Sequence, residues 1–347
     1  MTTASASDAP ALTAQAARRR RALAGAAVLL ALLVLAILLS LAFGARDVSW
    51  AEIVAALRRP PETLGEAAVA ARIPRTALAL LAGAALGLAG AAMQGLTRNP
   101  LADPGILGTN AGAALAVVIG LAWFGMESAT PQIWVAILGA GVAAAGVYTI
   151  ASLGIGGATP LKLALAGAAL SAAMASFTTA VILPRGDIGG LVQGWMIGGV
   201  GGATWPQILP VLPFLAVGLL TALLSARKLN LLALGEDAAQ SLGENVVLAR
   251  IMVAGSAIVL SGATTALCGP IGFVGLVVPH ACRLLFGVDY RLILPFAAIS
   301  GASLLLLADV AGRLIARPAE VDAGIVTAFI GAPVFIWIVR RRRVAAL

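Results

Sequence analysis

The chain has 347 residues, of which 61% are hydrophobic and 11% are charged. Soluble globular proteins average about 45–50% apolar and about 25% charged residues, so this composition excludes an ordinary soluble enzyme. It also excludes a disordered chain, which needs low hydrophobicity. Because a membrane-spanning helix takes about 20 apolar residues, the length allows roughly ten spans with short connections. The composition therefore predicts an all-α, polytopic membrane protein.

Apolar runs separated by Gly, Pro and charged residues predict about ten transmembrane helices. Residues 1–21 are expected to form a disordered cytoplasmic tail, and residues 22–347 a single transmembrane domain. Arg18–Arg21 and the apolar run after them imitate a signal peptide, but the run is too long for one and reads as a first span. The predicted spans cover residues 22–43, 73–96, 105–122, 132–152, 161–184, 206–225, 248–268, 271–286, 292–315 and 324–339.

The distribution of Lys and Arg indicates the orientation of the chain in the membrane. The net charge is +8, from 23 basic and 15 acidic residues, and the basic residues lie between apolar runs rather than on one soluble face. Membrane orientation therefore explains them better than nucleic-acid binding. With the N-terminus inside, 15 of the 23 basic residues fall on the cytoplasmic side and eight outside. This bias predicts that both termini are cytoplasmic.

The second span carries small residues at Gly83, Gly87 and Gly90, a stripe typical of close helix packing in membranes. Two segments also share a faint similarity, residues 88–108 and residues 260–275. They lie on the second and seventh spans, which run in opposite directions, as the halves of an inverted repeat do.

The cytoplasmic connection at residues 226–247 is too polar to span the membrane, because Glu236 and Glu244 interrupt its leucines and alanines. Gly235 and Gly243 act as breakers, so the pattern predicts two short amphipathic helices. Such a pair either lies on the membrane surface or forms a docking surface for a cytoplasmic partner. The residue pattern alone favours neither.

The sequence contains none of the familiar motifs for catalysis at phosphates, metals or esters. GxxxxGK[ST], HExxH and GxSxG are all absent from the chain. His280 is the only histidine, so it cannot form a multi-histidine metal site, and a hydrogen bond within the bundle is favoured over a proton carrier. Cys268 and Cys282 lie in apolar surroundings, which favours core packing. We therefore expect no catalytic residue, metal site or cofactor.

Four charged residues near the predicted outer side stand out. Asp309 is the one carboxylate well inside a predicted span, and Arg313 lies one helical turn further, so an ion pair is favoured over a proton relay. Arg72 and Arg75 flank Pro74 at the start of the second span. They either anchor this helix at the membrane interface or attract an acidic partner from outside.

Four long segments closely resemble the FecCD/BtuC family of bacterial ABC-importer permeases. Among them are RIPRTALALLAGAALGLAGAAMQGLTRNPLADPGILGTNAG and GPIGFVGLVVPHACRLLFGVDYRLILP. The segments cover residues 72–112, 232–243, 269–295 and 305–342. The resemblance implies a type II ABC-importer permease fold with ten helices, in the bacterial cytoplasmic (inner) membrane.

The resemblance also implies the partners and the cargo. Members of this family work with a second permease copy, either identical or a paralogue, with two cytoplasmic ATP-binding subunits, and with an extracytoplasmic substrate-binding protein. ATP hydrolysis is then expected on a separate subunit, and the present chain is not an enzyme. The residues of these motifs resemble those of iron–siderophore members most, which favours a ferric siderophore as cargo, with haem or vitamin B12 as alternatives.

Family roles carry over to three groups of residues. The arginines that family members present to acidic residues of the binding protein correspond to Arg72, Arg75 and Arg313. The coupling element that seats on the ATPase subunit corresponds to Leu234, Gly235, Ala239, Leu242 and Gly243. The cytoplasmic gate corresponds to Asn99 and Leu101 in one segment and to Thr159, Pro160 and Leu161 in the other, where the sequence departs from the family pattern.

Two rival functions belong to other classes. A secondary carrier driven by ions can also contain an inverted repeat, but it predicts acidic or polar residues at mid-membrane in several helices. The sequence offers only Asp309. A scaffolding membrane protein predicts no ATPase association through the connection after the sixth span.

Overall fold

A computed structural model describes residues 9–153 and 159–345, which form α-helices with short connections and, within these ranges, no β-strand. In chain order the α-helices are α1 (Ala9–Ala42), α2 (Trp50–Arg58), α3 (Leu64–Leu96), α4 (Thr109–Phe124), α5 (Ala129–Ser152), α6 (Pro160–Ile182), α7 (Gly186–Ile197), α8 (Trp205–Ile208), α9 (Leu212–Leu224), α10 (Ala226–Ala233), α11 (Glu236–Ser241), α12 (Val246–Cys268), α13 (Val274–Phe286), α14 (Tyr290–Ile315) and α15 (Ala323–Ala345).

The apolar helices match the ten predicted spans. Seven segments are long and apolar enough to cross a membrane, one of them formed by α8 and α9 together with the 3-10 turn between them. The other three spans correspond to the shorter apolar helices α4, α13 and α15. The prediction of an all-α, polytopic membrane protein is confirmed.

The helices differ from the predicted spans mainly at their N-terminal ends. Helix α1 continues back to Ala9, through the segment for which the sequence predicts a disordered tail. This segment is rich in alanine, the residue with the highest helix propensity. The part of the predicted tail at residues 1–8 lies outside the described residues. A further helix, α7, fills part of a connection that the sequence left without an element.

Helix α3 is the central helix of the bundle and begins at Leu64 rather than near residue 73. Thr63 and Glu66 form a capping box that fixes this start, with the Glu66 N–H donating to the Thr63 hydroxyl at 3.1 Å. At about 1.5 Å per residue, 33 residues extend about 50 Å. The helix therefore projects beyond the hydrocarbon core, which is about 30 Å thick.

Glycines bring α3 into backbone contact with α13 and α14. A Cβ atom added at Gly83 would lie 2.4 Å from the carbonyl oxygen of Gly301. One added at Gly90 would lie 2.0 Å from the carbonyl oxygen of Gly275. Neither position has room for a side chain, so the small-residue stripe is confirmed as a packing surface. Gly90 and Gly275 belong to the two similar segments, which therefore meet in the middle of the bundle.

The two cysteines and the acidic residues do not form a metal site within the described residues. Cys268 and Cys282 are both free and buried, which confirms core packing. Within the described residues no group of three His, Cys, Asp or Glu side chains is placed to hold a metal ion.

Candidate functional site

The connection after α9 forms the two short helices that the glycine pattern predicts. Helix α10 ends at Ala233 and α11 at Ser241. The glycines that follow them, Gly235 and Gly243, have φ values of +110° and +80°. Residues with a Cβ atom rarely adopt such values, so these two turns require glycine. We call the end of the bundle that carries these helices the α10–α11 end.

Two leucines of this element point away from the protein. Leu234 and Leu242 are 64% and 59% exposed. Between them in the chain, Ala239 is fully buried and packs in a small apolar cluster with Leu232 and Val246. The buried alanine fixes the element to the bundle, and the leucines are left as an exposed apolar surface.

Polar contacts hold this element together and tie it to the start of α14. Lys228 of α10 forms an ion pair with Glu244 at 2.6 Å. The side-chain amide of Asn230 donates to the Asp289 carboxylate at 2.7 Å, and its oxygen accepts the backbone N–H of Tyr290 at 2.9 Å. Because Asp289 and Tyr290 begin α14, a displacement of α10 acts directly on that helix.

The predicted gate residues lie in two segments at the same end. Asn99 and Leu101 form a turn after α3, in which the Asn99 side-chain oxygen accepts the Leu101 N–H at 3.0 Å. Thr159 caps α6 through its hydroxyl, and Pro160 occupies the first helical position, where its missing N–H costs nothing. Leu161 is exposed. Their role as a gate stays a prediction.

At the opposite end of the bundle, Asp309 pairs with two arginines. Its carboxylate accepts from Nη2 of Arg75 at 2.7 Å and from Nη2 of Arg313 at 2.8 Å. Asp309 is buried, so both charges neutralise it away from water. The predicted ion pair with Arg313 is confirmed, and Arg75 is a partner that helical spacing could not reveal.

Arg72 and Arg313 both bind the last carbonyl groups of α1. Arg72 donates to the carbonyl oxygens of Leu41 and Ala42 at 2.9 and 3.0 Å, and Arg313 donates to that of Ser40 at 3.0 Å. The last carbonyls of a helix have no partner within the helix and carry partial negative charge, so guanidinium groups stabilise them.

These contacts determine how much of each arginine is accessible. Arg72 is 6% and Arg313 is 1% exposed. The side chain of Arg75 is 13% exposed, and its Nη1 contacts Glu320 of the α14–α15 connection at 2.6 Å. Arg72 and Arg313 thus offer almost no surface to a second protein in this conformation. The docking role of the three arginines stays a prediction.

A buried polar network joins the start of α4 to α12 and to the α12–α13 connection, and sequence reasoning did not find it. The Ser261 hydroxyl of α12 donates to the side-chain oxygen of Asn110 at 2.9 Å and lies 3.0 Å from the hydroxyl oxygen of Thr109. Asn110 in turn donates to the carbonyl of Ile271 at 3.3 Å. Ser, Thr and Asn are common in membrane helices, so only the fold reveals that these three meet.

Asp103 lies in the turn between α3 and α4, and its carboxylate accepts the N–H of Gly105 at 2.8 Å. Burial, which disfavours the charged form, raises the pKa of Asp103 to about 6, although this hydrogen bond acts in the other direction.

Comparisons with known proteins agree with this arrangement. The profile of the FecCD transport family matches residues 32–341. The chain is 44% identical over 316 residues to the ferric enterobactin transport system permease protein FepD of Escherichia coli K12, covering 90% of this chain and 94% of that one. It is 39% identical over 280 residues to the hemin transport system permease protein HmuU of Yersinia pestis, covering 78% and 82% respectively.

A solved structure shares the fold. A metal-chelate-type ABC transporter in an inward-facing conformation superposes with a TM-score of 0.76 and 28% identity, over 93% of this chain and 99% of that one. Together with the family profile, which matches most of the sequence, this similarity establishes that the chain is a multi-pass membrane protein of the FecCD transport family.

Proposed function

We propose that this chain is the permease subunit of an ATP-driven importer that carries ferric siderophores across the bacterial cytoplasmic membrane. The observation that supports it most is the 44% identity to a ferric enterobactin permease over nearly the whole length of both chains. Haem is the second candidate cargo, because a hemin permease is 39% identical. Vitamin B12 is a third, supported only by the family resemblance.

The exposed leucines of the α10–α11 element are the proposed contact with a separate ATPase subunit. Leu234 and Leu242 form an exposed apolar surface on a polar connection, where a partner is needed to remove them from water. Gly235, Ala239 and Gly243 hold the two short helices in place. ATP binding and hydrolysis on that subunit would move α10, and through Asn230 the start of α14.

The excess of basic residues at the α10–α11 end supports a cytoplasmic location for it, with both termini on that side. Arg75, near Glu320 at the other end, is then the best placed of the three arginines to meet an acidic residue of a substrate-binding protein. Arg72 and Arg313 stabilise its surroundings, because both bind the end of α1 and Arg313 also pairs with Asp309. Two copies of the permease, identical or paralogous, would enclose the pathway.

The gate is proposed at the α10–α11 end, formed by Asn99 and Leu101 of one segment and by Thr159, Pro160 and Leu161 of the other. Exposure of Leu161 supports a contact outside this chain, because an apolar side chain at such a position gains from being covered. A rigid-body rearrangement of the two copies would open and close it.

Uptake by intact cells tests the cargo. A strain that lacks this permease is supplied with the wild-type chain, and import of iron-55 from several ferric siderophores is measured beside import of haem and of labelled vitamin B12. We expect ferric siderophore uptake to depend on the chain. Unchanged siderophore uptake in the deletion strain, with haem or B12 uptake lost, would reject the proposed cargo while keeping the importer.

A further inference from the structure

A groove on the side of the bundle takes no part in the transport steps above. It lies between α5 and α12, and its floor is formed by the last turn of α3 and the 3-10 turn Pro104–Leu107. Its volume is about 960 Å³. Pockets that bind small ligands measure about 300–1,000 Å³, so this groove is large enough for a substantial molecule.

Small residues line the middle of the groove. On α5 they are Gly141, Ala144 and Ala145, with Tyr148 nearer the α10–α11 end, and on α12 the lining includes Ala254 and Ala257. No side chain from the glycine and alanine positions reaches across the gap. The middle of the wall is therefore apolar, and water gains few hydrogen bonds there.

The length of the groove matches one leaflet of a bilayer. On α12 it extends from Val247 to Ile258, which at about 1.5 Å per residue is about 16 Å. The hydrocarbon core of a membrane is about 30 Å thick, so one leaflet contributes about half of this. Val142 beside the groove and Ile251 on its α12 wall are exposed apolar side chains, which makes the opening continuous with a hydrocarbon environment.

Charged residues lie at one end of the groove only, and it is the α10–α11 end. They are Arg98, Arg250 and Glu236. Glu236 accepts a hydrogen bond from Arg250, whereas Arg98 is exposed and takes part in none of the ion pairs among the described residues. The groove thus has an apolar body and a mouth with a net positive charge.

The backbone holds Arg98 in an unusual conformation at this mouth. Its φ is +48°, in the left-handed region that residues other than glycine rarely adopt, and its N–H donates to the Gly95 carbonyl at 3.3 Å. This turn ends α3 and places Arg98 at the mouth of the groove.

We propose that the groove binds an anionic phospholipid, with one acyl chain between α5 and α12 and the phosphate at Arg98, assisted by Arg250. An apolar groove of one leaflet's length with a cationic mouth fits such a lipid, because basic pockets between membrane helices on the cytoplasmic side recognise anionic headgroups. Assigning the lipid to the cytoplasmic leaflet rests on the orientation given under the proposed function.

Lipid retention by the purified full-length permease in detergent tests this site. Dioleoyl phosphatidylglycerol, dioleoyl phosphatidylcholine and inorganic phosphate are titrated separately, with native mass spectrometry and the thermal unfolding midpoint as readouts. We expect phosphatidylglycerol to bind and to raise the midpoint, and the other two to do neither. If the two lipids bind equally well, the headgroup charge has no role and the proposal is overturned. If inorganic phosphate has the same effect as phosphatidylglycerol, the acyl chain has no role and the proposal is overturned as well.

Four variants locate the site. Arg98→Gln is expected to weaken phosphatidylglycerol binding about tenfold, the effect of losing a charge-assisted hydrogen bond, and Arg98→Lys to retain most of it. Ala254→Phe places an aromatic ring in the groove and should abolish binding, while Val142→Phe places the same ring beside the groove and should not.

Arg291→Gln is the matched control for charge, because Arg291 is an exposed arginine at the same end of the bundle. Unchanged binding in both Arg98→Gln and Ala254→Phe would overturn the inference, and so would equal losses in Arg98→Gln and Arg291→Gln. If Ala254→Phe fails to fold, Arg98→Gln, Arg98→Lys and Arg291→Gln still show whether binding depends on the charge at Arg98. Lipid binding in detergent does not depend on the cargo. A negative siderophore uptake assay would therefore reject the proposed cargo without affecting the test of the lipid site.

Discussion

Arg75 and Asp309 are separated by 234 positions in the sequence, and their side chains join α3 to α14 through hydrogen bonds from Nε at 3.0 Å and from Nη2 at 2.7 Å. This two-point contact orients the guanidinium group and leaves its Nη1 directed toward Glu320. One carboxylate therefore pairs with arginines of two helices, α3 and α14, since Arg313 also contacts it. The arrangement makes Asp309 a structural residue of the end of the bundle opposite the α10–α11 end.

Replacing Asp309 by Asn should destabilise the protein by about 3–5 kcal/mol, because it leaves two arginines near the membrane interior without a countercharge. The midpoint of thermal unfolding in detergent measures this loss. Glu320→Gln is the matched control, since it removes a partly exposed partner of Arg75 and should cost less than about 1 kcal/mol. Equal midpoints for Asp309→Asn and the wild type would contradict the structural role.

Glu320→Gln is also informative for docking. It frees Nη1 of Arg75 from a carboxylate 2.6 Å away, so we expect tighter association with the proposed substrate-binding protein. Surface plasmon resonance at several salt concentrations measures the affinity. Asp47→Asn is the control, because Asp47 pairs with Arg317 at the same end without contacting Arg75. Arg75→Gln should weaken association and make its salt dependence shallower; a normal affinity in that variant would reject the docking role.

Leu234→Ser and Leu242→Ser should reduce association with the proposed ATPase subunit without lowering thermal stability, because both side chains are exposed in this chain alone. Co-purification and ATPase stimulation in reconstituted vesicles measure the effect. Leu57→Ser replaces an equally exposed leucine on α2 at the opposite end and should leave coupling unchanged. If all three variants co-purify with the ATPase equally well, the contact lies elsewhere.

Gly90→Ala should prevent folding or lower stability severely, since the new Cβ would lie 2.0 Å from a backbone oxygen of α13. Gly255→Ala is the matched control in another membrane helix. No atom lies within 4 Å of its added Cβ, so it should be neutral or stabilise the helix by up to about 1 kcal/mol. Expression yield and unfolding midpoint distinguish the two, and a well-folded Gly90→Ala protein would refute the packing described for α3 and α13.

Asp103 predicts a pH dependence of stability. Its pKa in the folded protein, about 6, is raised above the ordinary value of 3.8, so the folded state binds a proton more tightly than the unfolded chain. The contribution of this group to stability therefore falls as pH rises from about 4 to about 6 and stays constant above that. We expect Asp103→Asn to lose less stability than the wild type between pH 5 and pH 7.5. Parallel curves from thermal unfolding would show that Asp103 is not protonated in this window.

Much of the fold could be predicted from the sequence because membrane spans follow from apolar runs and their breakers. The two helices of the α10–α11 element were predictable for the same reason, since Gly235 and Gly243 divide a leucine-rich stretch. The start of α3 was missed because Thr63 and Glu66 cap a helix that extends beyond the apolar run.

The contacts of Arg72, Arg75 and Arg313 with other helices could not be predicted, because they depend on which helices become neighbours. Arg313 and Ser40 are 273 positions apart, and nothing in the local pattern of either indicates the other. The network of Ser261, Asn110 and Thr109 is hidden in the same way. Helical spacing revealed only the pair of Asp309 with Arg313, which lies within one helix.

The capping of α1 by Arg72 and Arg313 has a mechanical consequence. Arg72 of α3 binds the carbonyls of Leu41 and Ala42, and Arg313 of α14 binds that of Ser40. The ends of α1, α3 and α14 therefore cannot separate here without breaking several buried hydrogen bonds at once. Helices α4 to α7 take no part in this capping, so a movement of those helices at the same end would leave these hydrogen bonds intact.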